Sequence, residues 1–289
     1  MARGIDHLVI AVHGLDHARS VYERLGFTLT PKARHPFGTE NSLVQLESCF
    51  LELLGVYDPG DIPVPKPGEF SFARFNHRYL DRHEGLSMLV LESADAIADA
   101  GAFAAAGLQA YLPFEFGREA RQPDGSTAKV GFRLAFASDP FIPEAGFFAC
   151  QQLAPEHFWK PDYQRHANTA RTVSEVMMIA EAPSDHHAFF EGFAGVREVQ
   201  ATSAGLTVET PRGRIRVLTP LAATAMWGGA VPVGEFRTPR FAAAAIGVAD
   251  LAAARMALDR GGISYSELGG RLVVRASEAM GMAIAFEAV

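Results

Sequence analysis

The sequence predicts an α+β fold in which four βαβββ modules pair into two pseudo-barrels. Three observations predict it: an apolar strand, a helix that ends at a glycine, and short apolar strands after that glycine, in an order that occurs four times. The distance from strand to glycine is 16 residues each time: Ile10 to Gly26, Leu91 to Gly107, Ile179 to Gly195 and Ile246 to Gly262. A lone module leaves one sheet face open, so we expect the modules to pair around shared cavities.

The first module shows the pattern most clearly. Residues 5–12 form an apolar, β-branched run that is typical of a strand. Residues 15–25 place apolar side chains at steps of three or four, with Asp16 in the first turn and Gly26 just past the end, as expected for an amphipathic helix. Further strands are predicted to start at Phe27 and to span residues 43–46 and 50–56.

The other three modules repeat this order with weaker signals. The predicted elements are 88–91, 94–106, 129–137 and 147–151 in the second module; 176–179, 185–193, 206–209 and 214–218 in the third; 242–246, 251–260, 272–275 and 282–286 in the fourth. The segments 58–82, 155–171 and 226–239 are interpreted as irregular linkers. We place a domain boundary near residue 160, with the candidate active site in 1–160 and a structural role for 161–289.

Composition excludes several functional classes. The net charge of −7 disfavours nucleic acid as a partner, because phosphate binding needs a basic surface. No apolar run reaches the roughly 18 residues that a membrane span needs, and no signal peptide is evident. Cys49 and Cys150 lie in apolar runs and are interpreted as buried thiols, so we expect a cytoplasmic protein. Phosphate-loop, dinucleotide, HExxH, CxxC and GxSxG motifs are absent from the sequence.

Several short motifs resemble the vicinal oxygen chelate superfamily. They are GIDHLVI at 4–10, YERLGF at 22–27 and FLELL at 50–54. Within that superfamily, HPFGTEN at 35–41 and CQQLAPE at 150–156 look like the glyoxalase-like subgroup. The resemblance is strong over residues 4–56 and rests on pattern alone in the other modules. It implies a glyoxalase- or bleomycin-resistance-like fold, and it leaves the reaction open because one fold hosts many chemistries.

The resemblance also implies a divalent metal ion held by the first and last strands of a module. On this sequence those positions are His7 and Glu52, and an imidazole with a carboxylate suits Zn, Fe, Mn or Ni alike. A third ligand could come from His35, Gln152 or His166. Counting 19 residues back from the other three glycines gives Met88, Val176 and Ala243, none of which is an ordinary metal ligand. The two C-terminal histidines of the extradiol dioxygenase pattern are absent as well.

Two functions therefore stay open at the level of sequence. The first is a metal-dependent lyase, isomerase or oxygenase that acts on a small molecule with adjacent oxygens. His7 and Glu52 would bind the metal, and if protons move Glu52 would act as the base only when it is not fully committed to the metal. The residues expected to bind substrate are His35, Thr39, Asn41, Gln152 and His166.

The second function is a binding protein without catalysis, similar to bleomycin resistance proteins. In that case His7 lines a metal-free pocket, Glu52 pairs with an arginine or faces solvent, and the segment 35–41 is only a turn between strands. Barrels of this superfamily form within or between chains. A homodimer is therefore compatible with the sequence, although four modules also allow closure within one chain.

Overall fold

A computed structural model describes residues 2–121, 127–232, 234 and 236–289. The first two modules build one mixed sheet. Its strands are β1 (Ile5–Ala11), β2 (Ala33–Arg34), β3 (Thr39–Gln45), β4 (Phe50–Val56), β5 (Gly85–Glu92), β6 (Gln109–Ala110), β7 (Phe114–Arg121), β8 (Thr127–Ser138) and β9 (Gly146–Gln152). The strands lie in the order β2-β3-β4-β1-β5-β9-β8-β6, and β7 pairs with β8. Helices α1 (Leu15–Arg24), α2 (Phe72–Leu80), α3 (Ala96–Ala105) and α4 (Pro155–Phe158) belong to this half.

The last two modules build a second mixed sheet of the same design. Its strands are β10 (Ala170–Ile179), β11 (Gln200–Thr202), β12 (Gly205–Glu209), β13 (Arg214–Leu218), β14 (Arg240–Val248), β15 (Tyr265–Leu268), β16 (Arg271–Val274) and β17 (Ala283–Ala288). The order is β11-β12-β13-β10-β14-β17-β16-β15. Helices α5 (His187–Ala194), α6 (Pro220–Trp227) and α7 (Leu251–Gly261) accompany it. In both sheets the first strand of one module pairs antiparallel with the first strand of the next. The predicted α+β fold of four paired βαβββ modules is confirmed.

The four predicted helix-ending glycines all have positive φ. The angles are 89° at Gly26, 79° at Gly107, 67° at Gly195 and 62° at Gly262. A side chain with a Cβ adopts this left-handed region only with strain, so glycine suits the position where each helix must turn back into a strand. The spacing in the sequence therefore reports a real backbone requirement.

The segment 58–82 was wrongly predicted to be irregular throughout, because it contains helix α2. The Ser71 hydroxyl accepts a hydrogen bond from the Arg74 N–H and caps the helix. Its buried side chains Phe72, Asn76 and Tyr79 recur at steps of four and three, so one face packs inward. Prolines before residue 68 gave the segment the composition of a loop and masked this short periodic stretch.

The main hydrophobic core lies between the two sheets. Each module contributes its helix to it, for example through Tyr22 of α1, Phe103 of α3, Phe193 of α5 and Leu258 of α7. The opposite face of each sheet carries a separate apolar cluster. The strands change from one sheet to the other between β9 and β10, so the proposed boundary near residue 160 falls in that connection, although the central core is shared.

Two further expectations concern the thiols and the membrane. Cys49 and Cys150 are both free and buried, as predicted. Among the described residues, no helix combines the length and the apolar character that crossing a bilayer requires.

Candidate functional site

A narrow cavity lies on the face of the first sheet that points away from the shared core. The space in it that a water-sized sphere can enter is about 40 Å³. Its polar lining residues are His7, His35, Asn41 and Glu52. Its apolar lining residues are Leu43, Phe50, Phe72, Phe116, Phe132, Leu134, Phe148, Cys150 and Phe158. The imidazole near the start of the chain and the carboxylate of β4 therefore face a common hollow.

His7 is held in one tautomer by its neighbour in sequence. Its Nδ1 lies 2.6 Å from Asp6 Oδ2, and both side chains are buried, so the Nδ1–H donates to the carboxylate. The Nε2 then presents its lone pair to the cavity, 3.7 Å from Glu52 Oε2. The Phe50 ring stacks on the imidazole with a centroid distance of 4.1 Å and fixes its plane.

Asp6 is a site residue that the sequence pattern concealed. Regular alternation along β1 places His7 on the cavity face and Asp6 on the other. The register between β1 and β5 is irregular between Ile5 and His7, however, and such a bulge redirects a side chain. The side chains of Asp6 and His7 can therefore lie on the same side of the sheet, where they form a hydrogen bond. The usable signal was an acid directly before a candidate histidine ligand.

Glu52 is oriented by a hydrogen-bonded chain that includes three predicted residues. Asn41 Nδ2 donates to Glu52 Oε1 over 2.7 Å and lies 3.3 Å from His35 Nε2. The other ring nitrogen of His35 lies 2.8 Å from Thr39 Oγ1, which sets the ring orientation. His35 and Asn41 line the cavity, whereas Thr39 positions His35 and is not among the lining residues. The segment 35–41 thus supplies polar groups as well as the turn.

The donor set at this end of the cavity fits a divalent metal ion. His7 offers Nε2 while Asp6 binds the other nitrogen, an arrangement common behind metal-bound histidines. Glu52 offers a carboxylate oxygen, and the buried Asn41 Oδ1 has no hydrogen-bond partner among the described residues. Nitrogen and oxygen donors of this kind suit the first-row metals that the resemblance implies.

A second grouping of potential ligands is less suitable for a metal. Atoms of Asp6, His7 and Cys150 lie within 4.8 Å of one another. Burial raises the pKa of the Cys150 thiol well above its usual value, and the charges of Asp6 and Glu52 raise it further. The thiol is therefore neutral at pH 7, while Asp6 is occupied by His7. The His7 Nε2 side is the better site.

Two residues predicted to bind substrate, Gln152 and His166, are not among the residues that line the cavity. Gln152 Nε2 donates to Asp6 Oδ1 over 3.3 Å, so it supports the acid behind His7 and is not among the lining residues. His166 accepts a hydrogen bond from the Thr28 N–H at Nδ1, and its Nε2 lies 2.8 Å from the Gln45 carbonyl oxygen. Backbone groups therefore use both ring nitrogens of His166, and neither its predicted substrate role nor a ligand role is supported by its position.

His166 should instead make stability depend on pH. Burial lowers its pKa, so the folded protein favours the neutral ring. Its stabilising contribution is then present above the unfolded-state pKa of about 6.5 and is lost as the pH falls through the folded-state pKa. Replacing His166 with alanine should lower the free energy of unfolding by about 1–3 kcal/mol near pH 7.5, because a buried N–H and carbonyl lose their partners.

Urea unfolding of both proteins at several pH values between about 5 and 7.5 checks this expectation. The difference between wild type and His166→Ala should shrink as the pH falls. His187→Ala, which changes a half-exposed ring paired with Glu191, is the control and should behave like wild type throughout. A difference that stays constant or grows toward low pH would contradict the structural role of His166.

The second sheet carries a different pair of side chains at the positions of His7 and Glu52. A register irregularity precedes His7 in β1 and Glu175 in β10 alike, and β13 places Arg216 where β4 places Glu52. The predicted counterpart of His7, Val176, is therefore wrong by one residue. Arg216 Nε lies 3.1 Å from Glu175 Oε2, so an ion pair occupies this place. Burial raises the pKa of the Glu175 carboxyl, and the arginines around it oppose that shift.

Comparisons with known proteins agree with this architecture. Solved structures of similar fold include a hypothetical protein from Staphylococcus aureus, with 13% identity and a TM-score of 0.69, where the match covers 99% of this chain and 100% of the other. A mutant of 4-hydroxymandelate synthase from Streptomyces coelicolor matches with 11% identity and a TM-score of 0.58, over 99% and 92% of the two chains. At these identities the likeness shows the fold alone.

A third structure is a fusion of a xylose isomerase-like TIM barrel with 4-hydroxyphenylpyruvate dioxygenase. It matches with 13% identity and a TM-score of 0.55, over 99% of this chain and 48% of the fusion. No curated protein sequence matches the chain. The family model described as a glyoxalase-like domain matches residues 5–193, which is more than half of the sequence. The chain therefore belongs to the glyoxalase-like domain family of the vicinal oxygen chelate superfamily.

Proposed function

We propose that the cavity of the first sheet is the active site of a metal-dependent lyase, isomerase or oxygenase acting on a small molecule with adjacent oxygens. The observation that carries the proposal is the pairing of His7 and Glu52 inside a buried, mostly apolar hollow. The Asp6 carboxylate behind His7 directs the Nε2 lone pair toward Glu52. Two electron-rich atoms facing each other at 3.7 Å favour a cation or a proton between them.

Each polar side chain has a distinct task in this proposal. His7 and Glu52 hold the metal, which would polarise the substrate oxygens as a Lewis acid or bind oxygen. Glu52 also accepts a proton from the substrate when one oxygen of the Glu52 carboxylate is not bound to the metal. Asn41 keeps Glu52 oriented, and its free Oδ1 together with His35 orients the substrate. The phenylalanine walls exclude water, which strengthens each of these interactions.

A non-catalytic binding protein is the second candidate. It is favoured by the small number of ligand atoms, because the second module has the apolar residues Met88 and Phe148 at the places that correspond to His7 and Glu52. In this case the cavity sequesters a small molecule and the polar cluster only orients it. The second half serves as a scaffold in both proposals.

The proposal also includes a cytoplasmic location, which suits the two buried free thiols. It includes a homodimer as well.

Metal content separates the two candidates. Purified protein should bind about one Zn, Fe, Mn or Ni ion per chain in elemental analysis after incubation with each metal and desalting. His7→Gln and Glu52→Gln should each lower the bound fraction to below about a tenth, because each leaves one of the two proposed ligands. Gln keeps the size and polarity of each side chain, so circular dichroism should remain that of wild type.

The matched control is His187→Gln, since this ring is half exposed and lies on α5, outside the cavity. It should keep the metal content of wild type. Metal that persists in both cavity variants would remove His7 and Glu52 from the site. A wild-type protein that stays free of all four metals would leave the binding protein as the better candidate.

A further inference from the structure

The walls of the cavity in the first sheet are made mainly of aromatic rings. Six phenylalanines line it: Phe50, Phe72, Phe116, Phe132, Phe148 and Phe158. Leu43, Leu134 and Cys150 complete the apolar surface. Among the described residues that line the cavity, none is a lysine or an arginine. The polar atoms are confined to the cluster of His7, Glu52 and their neighbours.

Two of the four ring pairs among these phenylalanines are edge to face, one is tilted and one is stacked. Phe72 meets Phe148 at 87° with centroids 6.1 Å apart, and Phe132 meets Phe158 at 84° and 5.6 Å. Such pairs are favourable because the positive edge of one ring faces the negative face of the next. A flat ring that enters the cavity continues this pattern, whereas a saturated ring gains only from burial. The walls therefore favour an aromatic guest.

Size and charge narrow the class of guest further. The space in the cavity that a water-sized sphere can enter is only about 40 Å³, well below the roughly 300–1,000 Å³ typical of ligand sites, so its size admits nothing larger than one ring with a few polar atoms. An ionised carboxylate on the guest would face phenylalanine rings or the acid Glu52. A charge buried without a cation is strongly unfavourable.

We infer that the cavity binds uncharged, single-ring aromatic compounds whose oxygens lie at one end, against His7, Glu52, His35 and Asn41. This inference rests on the proposed function, because it names the class of molecule that the same cavity takes. Anionic aromatic compounds and saturated diols are excluded from the class. With the oxygens of the guest at His7 and Glu52, a carboxylate on its other end lies against walls whose described lining residues include no lysine or arginine, so the exclusion should hold whether or not a metal is bound.

Three matched probes test the inference by calorimetry without oxygen: catechol, 3,4-dihydroxybenzoate, which adds a carboxylate, and cyclohexane-1,2-diol, which lacks the aromatic ring. Each is titrated into zinc-loaded and into EDTA-treated protein. Catechol should bind at least about tenfold more tightly than either of the others in both forms. Equal affinity for 3,4-dihydroxybenzoate or for the saturated diol would overturn the inference, and so would the absence of catechol binding in both forms.

The two protein forms keep this test apart from that of the proposed function. A preference for catechol in EDTA-treated protein that binds no zinc supports the class of ligand and defeats only the metal proposal. Zinc binding without any preference among the probes supports the metal proposal and defeats only this inference.

One substitution should reverse the selectivity against charge. Phe116 is half buried, and its ring lies 5.5 Å from the His35 ring and 5.4 Å from that of Phe132. Phe116→Arg adds a guanidinium that can pair with a carboxylate, so binding of 3,4-dihydroxybenzoate relative to catechol should rise about tenfold or more. Phe141→Arg, at a largely exposed position outside the lining, should leave the ratio unchanged. An unchanged ratio in a folded Phe116→Arg variant would contradict the inference.

Discussion

Replacing Phe147 with alanine is expected to lower the free energy of unfolding by about 3–5 kcal/mol, the range typical of a large aromatic side chain removed from a core. Phe147 belongs to β9 of the first sheet and is fully buried. Its ring contacts Phe189, Phe190 and Phe193 of α5 and Phe241 of β14, with centroids 4.7–5.8 Å apart. All four partners belong to the second half, so the substitution opens a cavity in the core that both sheets share.

The same variant tests whether the two halves unfold as one unit. The sequence has two tryptophans, Trp159 in the connection and the buried Trp227 of α6. In a Trp159→Phe background, fluorescence therefore reports the second half alone. Urea unfolding followed by this signal should shift with Phe147→Ala as far as unfolding followed by circular dichroism does.

The control for this test is Phe141→Ala. Phe141 is 75% exposed, so its removal should change stability by less than about 0.5 kcal/mol. A Trp227 transition that ignores Phe147→Ala would show that the second half unfolds independently and would favour two autonomous domains divided near residue 160. A shared shift would mean that the connection separates two sheets but not two folding units.

The repeated architecture was readable from sequence because each module meets the same backbone requirement. A helix that must reverse into a strand ends at a residue with positive φ, and glycine marks that position in all four modules. Apolar strands before and after it complete the pattern. Helix α2 escaped detection because its nine residues follow a proline-rich stretch, and the β7 strand escaped because alternation in Phe114–Arg121 is interrupted by Gly117.

The candidate site was only partly readable, and the reason is local backbone irregularity. The family resemblance identified His7 and Glu52, and the count from the glycine carried the His7 position from the first module, where strand and helix are joined by three residues, to the other modules. In the third module a 3₁₀ turn at Pro183–His186 lies between strand and helix and takes up one more residue, so the count gave Val176 where the structure has Glu175. The spacing from Ile179 to Gly195 is still 16 residues, the same as from Ile10 to Gly26, so the sequence alone does not show the shift.

Irregularity of the same kind hid Asp6. A bulge has no sequence signature of its own, because it depends on how two strands pair and not on the residues of one strand. His166, in the connection between the two halves, is the converse case: its residue type suits a ligand, but its two ring nitrogens are hydrogen-bonded to the Thr28 N–H and the Gln45 carbonyl oxygen. Residue type alone did not show that Asp6 supports the site and that His166 bonds to backbone, whereas the tertiary hydrogen bonds do.

Asp6→Asn is expected to weaken metal binding about 10- to 100-fold, the usual effect of removing the carboxylate behind a metal-bound histidine. The charged Asp6 accepts the Nδ1–H of His7 and increases the electron density at Nε2. Asparagine keeps the size of the side chain but not its charge, and its amide can equally present N–H to the ring. His7 then loses both its preferred tautomer and part of its basicity, while Glu52 remains unchanged.

Competition with a chelator measures the metal affinity. Asp16→Asn serves as the control, because Asp16 is exposed, pairs with Lys32 and is not among the residues that line the cavity. That control should stay within about twofold of wild type. A second measurement does not need metal. In ¹⁵N NMR of EDTA-treated wild-type protein, the His7 ring should carry its proton at Nδ1. In Asp6→Asn the same ring should be a mixture of tautomers. An unchanged tautomer together with unchanged metal affinity would show that Asp6 does not control His7, and Nε2 could then no longer be assigned as the metal-facing atom.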